Sequence, residues 1–224
     1  MNLLAFETSS PSGGVALLCD GVLAGESWTT GMQSHSKRCL REAEGLLEAA
    51  GFRWEDVDVF AASHGPGAFV GVRVGLSLIK GLAWPLGKPV VTVSSPEALA
   101  WSCYRGEPVR HVVPLLDARV GEVYGAVFTP TDEGLVREGE EFCLRPEEVP
   151  RLLDGEALFA GEGALRYHEK YLHPHGRLAR GDAVRARPGT VAWLAWQRVQ
   201  AGGTIPPSEA RAVYLRDATV KPNA

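Results

Sequence analysis

Val57-Asp58-Val59-Phe60-Ala61-Ala62-Ser63-His64-Gly65-Pro66-Gly67-Ala68-Phe69-Val70-Gly71-Val72-Arg73-Val74-Gly75-Leu76-Ser77-Leu78-Ile79-Lys80-Gly81-Leu82-Ala83-Trp84 is the stretch from which the fold is read. Its first seven residues form an apolar run suited to a buried strand. Gly65-Pro66-Gly67 then neither continues a strand nor sits inside a helix, so it is a turn. Beyond it Gly71, Gly75, Leu78 and Leu82 recur at helical spacing and fall on one face. Strand, glycine loop and helix are expected in that order. A glycine in a helix interior costs about 1 kcal/mol relative to alanine, so two of them one turn apart imply a close-packed neighbour. A glycine loop ahead of a helix also invites an anion. The spacing, however, is neither Gly-x-x-x-x-Gly-Lys-Ser/Thr nor Gly-x-Gly-x-x-Gly. A structural turn with close helix packing is the simpler reading.

Upstream, the apolar run at residues 3–6 ends in Glu7-Thr8-Ser9-Ser10-Pro11-Ser12-Gly13-Gly14. Residues 15–18 and 22–28 read as two further strands joined at Asp20-Gly21, a strong hairpin signal. The hydroxyl-rich turn after Glu7 suits a phosphate or a sugar, and equally an ordinary polar hairpin. Ser34 or Ser36 caps a helix that stops at Gly51, with Leu40, Ala43, Leu47 and Ala50 as its apolar stripe. His35 and Cys39 share a face of it, but no second ligand pair accompanies them, so a metal there is not expected. Downstream, residues 90–93 are a short β-branched strand, and Ser94-Ser95-Pro96-Glu97 starts a helix with cap, proline and acid in the right places.

Near Val112 the pattern begins again. An apolar run at residues 112–116 ends in Asp117-Ala118-Arg119-Val120-Gly121, and strand, turn and strand follow through Leu144. Strand, acid-bearing turn, strand, turn, strand thus occurs twice, each set followed by helices. The expected architecture is α/β with two similar halves and a cleft between them. Residues 1–104 form the first half, which the tail 206–224 joins, and residues 105–205 form a reduced second half. In that half residues 146–153 are a short helix and residues 157–160 a strand leading into Gly161-Glu162-Gly163. The glutamate at the centre of that turn repels phosphate at close range. From Arg166 to Arg187 six Arg/Lys accompany two acids, and His168, His173 and His175 lie among them. A solvated loop explains this segment as well as a basic patch does. Pro188 starts the last helix, with Val191, Leu194, Ala195 and Val199 inward.

Composition narrows the function classes. The 224 residues carry a net charge of -4 and the sequence pI is about 5.9. A stand-alone nucleic-acid binder is usually basic, so any nucleic acid is expected to be held by a partner. Cys19, Cys39, Cys103 and Cys143 are scattered without Cys-x-x-Cys, which argues against a disulfide framework or zinc knuckle and fits a reducing cytoplasm. No uninterrupted apolar run approaches 18 residues, so neither a signal peptide nor a membrane span is expected.

The residues also carry a family resemblance. His64-Gly65-Pro66-Gly67-Ala68-Phe69-Val70-Gly71-Val72-Arg73-Val74-Gly75 resembles the Gly-Pro-Gly-Ser-Phe-Thr-Gly-Leu-Arg-Ile-Gly signature of the TsaB (YeaZ) family. Asp117-Ala118-Arg119-Val120-Gly121-Glu122-Val123-Tyr124 resembles its second signature. Leu4-Ala5-Phe6-Glu7-Thr8-Ser9 and Val213-Tyr214-Leu215-Arg216 match as well, so the likeness runs along nearly the whole chain. It implies an actin/Hsp70/sugar-kinase (ASKHA) fold and a cytoplasmic role in making threonylcarbamoyladenosine beside the tRNA anticodon. It further implies a non-catalytic subunit. The transfer falls to the homologous TsaD, which carries a His-x-x-x-His metal site and works with the ATPase TsaE. By position after residues 90–93 those histidines fall here on Ser95 and Leu99, which cannot hold a metal as imidazole does. The family's threonine is Val70 here, which weakens a phosphate role for the loop.

These readings give specific expectations. The partner face is Gly71, Gly75, Leu78 and Leu82 with Leu40, Ala43 and Leu47 of the preceding helix, used against TsaD or against a second copy when the chain is alone. Gly75→Leu is then expected to disrupt pairing without unfolding the monomer. TsaE joins the complex, tRNA is reached only through it, and no membrane is involved. No metal is held and no cofactor binds tightly, ATP and Mg²⁺ entering at the level of the complex. The alternative is an ATP-binding phosphotransferase or ATPase in which Glu7, Thr8, Ser9 and Asp117 line the cleft. A weaker alternative is direct tRNA binding through the segment 166–187. A protease is not expected, because the sequence shows no His-Glu-x-x-His and no paired acid site.

Overall fold

The computed structural model describes residues 1–30 and 35–215, and for residues 35–37 the backbone alone. The expected cap at Ser34, Arg216 and the last tail residues lie outside the described residues, as do the side chains of His35 and Ser36.

The first sheet contains β1 (Asn2–Glu7), β2 (Ser12–Cys19), β3 (Val22–Thr30), β4 (Val59–Ser63) and β5 (Val90–Val93) in the order β3-β2-β1-β4-β5. The second contains β6 (His111–Arg119), β7 (Glu122–Thr131), β8 (Gly134–Leu144), β9 (Ala157–Ala160) and β10 (Gly176–Leu178) in the order β10-β9-β6-β7-β8. Within each, the three strands first in sequence pair antiparallel and the remainder parallel. Equivalent strands therefore occupy equivalent places, and the duplication is structural. β10 has no signal in the sequence pattern. It is three residues long, too short to show a period of two.

Both faces of the first sheet are covered, which explains the unbroken apolar runs. Leu4 and Phe6 of β1 point into one core and Leu3 and Ala5 into another. The first core is closed by α1 (His35–Ala50) and α2 (Phe69–Leu86), the second by α5 (Pro188–Gln200). Here the structure departs from the expected division of the chain. α5 follows the second sheet in sequence, yet its Val191, Ala192, Leu194 and Ala195 lie on the first. α3 (Ser95–Cys103) stands between the two, with Ala98 in the α5 core and Leu99, Ala100 and Cys103 in a core of the second sheet. The described part of the tail returns to the first half, where Ala210 is buried in the α1–α2 core and Val213 N–H donates to the His64 carbonyl at 2.9 Å.

Three smaller differences follow from packing. In α1 the inward residues are Cys39, Ala43 and Leu47, whereas Leu40 is exposed and Ala50 faces solvent. The expected stripe has the right period and a shifted phase. After β9 the helix α4 (Glu162–Tyr167) continues as a wider turn at His168–Leu172. The helix α2 is long and apolar enough to cross a membrane by length and composition, which a count of uninterrupted apolar residues does not reveal. Its Gly71, Val72, Gly75, Leu76, Ile79 and Ala83 are buried against the first sheet.

Candidate functional site

β1 ends at Glu7 on the side of the first half that faces Glu162, and its side chain is fully buried. One carboxylate oxygen accepts from the Ser9 N–H at 2.7 Å and from the Ser9 hydroxyl at 2.6 Å. The other accepts from the Ser63 hydroxyl at the end of β4. These donors are all neutral. Burial pushes the Glu7 carboxyl above its ordinary range, the serine bonds oppose the rise, and the like charge of Glu162 adds to it.

Glu162 reaches the cleft from the other half. It lies in the turn after β9, the counterpart of the Gly65-Pro66-Gly67 turn after β4. Gly161 allows this turn at φ 100°, where a Cβ would fall 2.2 Å from the Leu115 carbonyl oxygen. Burial raises the Glu162 carboxyl, its own backbone N–H and the nearby Arg185 hold it back, and Asp117 raises it again. Asp117 accepts from the Arg119 N–H at 3.0 Å and pairs with Arg166 at 3.1 Å. The cleft thus brings carboxylates of both halves together around a set of serines. Glu162 is a carboxylate of the second half whose charge is felt at Glu7, and the signal in the sequence that points to it is the duplication itself.

Thr8 does not join them. Its hydroxyl donates to the Gly71 carbonyl at 2.8 Å, which turns it away from the cleft and onto α2. A Cβ on Gly71 would fall 2.0 Å from the Thr8 carbonyl oxygen, and one on Gly75 would fall 2.6 Å from the Thr8 hydroxyl. The close neighbour that the two glycines imply is therefore the chain's own β1 end. Gly71 and Gly75 are removed from the expected partner face, as are Ala43 and Leu47, which are buried in the core. Leu78 and Leu82 are half-buried at its edge, and Leu40 alone of the seven is exposed. Gly75→Leu is consequently not a clean test of pairing, since the monomer cannot accommodate it.

The outward side of α2 has a different composition. Val70 is 71% exposed, Trp84 69% and Phe69 49%, with exposed Ser77 and Gly81 between them. At the helix start, Phe69, Arg73 and Tyr214 stack together, the guanidinium 3.6 Å from the Phe69 ring centre and donating to the Tyr214 hydroxyl at 2.9 Å.

Ser95 and Leu99, the two positions of the absent imidazoles, are both buried in α3. Leu99 packs into the second sheet's core beneath Gly161. Among the described residues no three His, Cys, Asp or Glu side chains are grouped as a metal ion would need. His64, beside the turn, is held neutral: burial and the Arg198 charge lower its imidazole to about 4. The basic segment 166–187 is not one patch. Arg166 is engaged by Asp117, and Arg187 pairs with Glu26 while lying over Trp28.

Comparison with known proteins agrees with this architecture. A family model described as TsaD, tRNA N6-adenosine threonylcarbamoyltransferase, matches residues 29–166, more than half of the chain. A Bacillus subtilis protein named tRNA threonylcarbamoyladenosine biosynthesis protein TsaB is 34% identical over 214 residues, 92% of this chain and 93% of that one. The structure of YeaZ from Pseudomonas aeruginosa superposes with a TM-score of 0.85 at 31% identity, over 96% of this chain and 99% of that one. The ROK hexokinase of Thermus thermophilus shares the fold alone, with a TM-score of 0.51 at 14% identity over 90% of this chain and 100% of that one. A duplicated ASKHA-type fold, both family signatures and end-to-end similarity lead to one assignment: the chain belongs to the TsaB (YeaZ) family of tRNA threonylcarbamoyladenosine biosynthesis proteins.

Proposed function

We propose that this chain is a non-catalytic subunit of the assembly that makes threonylcarbamoyladenosine in tRNA, and that it works by presenting the outward side of α2 to a transferase of the TsaD kind. The observation that carries the reading is that exposed face. Large apolar side chains at both ends, Val70 and Trp84, flank small residues at Ser77 and Gly81, which lets another helix come close. Leu40, Leu78 and Leu82 border it. A second copy of the chain takes the same face when the transferase is absent. An ATPase of the TsaE kind joins the pair, and tRNA is reached through the complex. The cysteines at Cys19, Cys39, Cys103 and Cys143 are all free thiols, in keeping with a cytoplasmic setting.

The cleft supports the non-catalytic part of the reading. A polyphosphate entering it would face Glu162 and Asp117, with the buried Glu7 behind them and Arg166 already paired. The residues present do not suit a triphosphate, so nucleotide and Mg²⁺ are assigned to the complex rather than to this cleft. Leu99, where the resemblance places a metal ligand in the transferase, serves a core.

The test is a Val70→Asp/Trp84→Asp variant, both sites being exposed. The variant is expected to fold as the parent does, to lose co-elution with the TsaD-type transferase in gel filtration, and to fail to support modification of tRNA by the reconstituted mixture. Unchanged co-elution would show the face to be the wrong one. Micromolar binding of Mg-ATP to the isolated chain with turnover, measured by calorimetry, would favour the phosphotransferase instead.

A further inference from the structure

A second feature lies at the far end of α1. A groove of about 340 Å³ opens there between the last turns of the helix and the segment that follows it. Phe52 and Trp54, partly buried and packed against the α1–α2 core, give it an apolar floor, and the buried Leu47 lies beneath them. Glu44, Glu48 and Glu55 stand around it, all exposed. Arg53 is the one cation of the lining, and Asp56 engages it at 3.9 Å.

The two acids of α1 are placed against local electrostatics. Glu44 and Glu48 are four residues apart on α1, a spacing at which like charges repel. The last turn of α1 carries no basic residue, although the C-terminal end of a helix dipole favours a cation there. None of Glu44, Glu48 or Glu55 makes an ion pair among the described residues. Glu55 suits the first turn of the short helix Trp54–Asp56, but nothing in α1 calls for negative charge at Glu44 and Glu48, and Phe52 and Trp54 beside them are only partly buried.

We infer that this groove receives an arginine side chain of a partner protein, its stem and guanidinium plane lying on Phe52 and Trp54 and its N–H groups facing Glu44, Glu48 and Glu55. Arginine fits both halves of the description. Its guanidinium stacks on an aromatic face and is weakly hydrated, and its planar donors match carboxylates. It also restores the positive charge that the helix end lacks. The groove shares no lining residue with the exposed side of α2, so this inference stands apart from the assignment of that face.

The experiment uses the full chain labelled with nitrogen-15 and two blocked tripeptides, Leu-Arg-Leu and Leu-citrulline-Leu. Citrulline keeps the shape of arginine and removes its charge. The arginine peptide is expected to shift the Trp54 indole N–H and the Leu47 and Phe52 amides at millimolar concentration, and the citrulline peptide to leave them in place. Raising the salt to about 0.5 M should weaken the effect at least threefold, because exposed charges are screened over a few ångströms there. Glu44→Gln/Glu48→Gln should weaken it at least fivefold while the melting temperature stays level or rises, since the variant removes a repulsion. Equal shifts from both peptides, undiminished binding by the double variant, or the absence of any shift at Trp54 up to about 10 mM peptide would each overturn the assignment.

Discussion

Gly71 and Gly81 lie on the same helix and answer the same substitution in opposite directions. A Cβ on Gly71 meets the Thr8 carbonyl oxygen at 2.0 Å, a contact with backbone that no rotamer relieves. Gly71→Ala is expected to cost about 1–3 kcal/mol through overpacking, read as a lower urea midpoint with an unchanged slope. A Cβ on Gly81 meets nothing within 4 Å, and Gly81→Ala should raise stability by about 0.5–1 kcal/mol through helix propensity alone. Val120 offers a third case. It sits at φ 52° in the hairpin between β6 and β7 and is 83% exposed, a conformation that a β-branched residue adopts at a cost. Val120→Asn supplies the Asn-Gly pair such a turn prefers and should gain about 1 kcal/mol in the same denaturation assay.

At the scale of the element, α2 is the instructive case, because its sides do different work. The side with Gly71, Gly75, Leu76 and Ile79 holds the helix to β1 and β4, and substitutions there act on folding. The side with Val70, Ser77, Gly81 and Trp84 contributes little to the monomer. Val70→Asp/Trp84→Asp is therefore expected to change unfolding free energy by no more than about 0.5 kcal/mol per site while abolishing partner binding. Parallel denaturation and gel-filtration measurements separate the two effects. A variant that loses both would place this side in the core after all. The strands show the same logic more simply. β1 alternates between two cores, and each of its residues from Leu3 to Phe6 is accounted for by the face it reaches.

For the whole molecule, the crossing of α3 and α5 between the sheets makes the halves interdependent. Without α5, the face of the first sheet formed by Leu3, Ala5, Ala16, Leu18, Val91 and Val93 is bare. A fragment of residues 1–104 should consequently fail to give a cooperative thermal transition by circular dichroism, although it contains the complete first sheet. Stability should also depend on pH through two groups of the first half. His64 is lowered to about 4 in the fold, below its value of 6.5 in the open chain. Its contribution is present above 6.5 and is lost as pH falls from there toward about 4, on the order of 3 kcal/mol in all. Glu7 is raised, so its contribution is present below the ordinary carboxylate range and is lost as pH rises through its folded value. Denaturation across pH should therefore find His64→Gln flatter on the acid side and Glu7→Gln flatter toward neutral pH. A Glu7→Gln profile that parallels the parent would show that the buried carboxyl is not raised.

The sequence alone determined what depends on near neighbours. Legible in it are the strand–glycine turn–helix unit at residues 57–86, the Asp20-Gly21 hairpin and the cap at Ser94. So are the repeated strand pattern and the family to which the motifs belong. Periodicity, turn chemistry and capping act over a few residues and are written in them. Only the tertiary structure decided where the chain meets itself. It set Thr8 against Gly71 and brought Glu162 to Glu7 across the cleft. It carried α5 back to the first sheet, and it fixed the phase of α1 so that Cys39 rather than Leu40 points inward. A helical period says that a face exists. Which face is buried follows from the shape of what packs against it, and that neighbour lies far away in the chain.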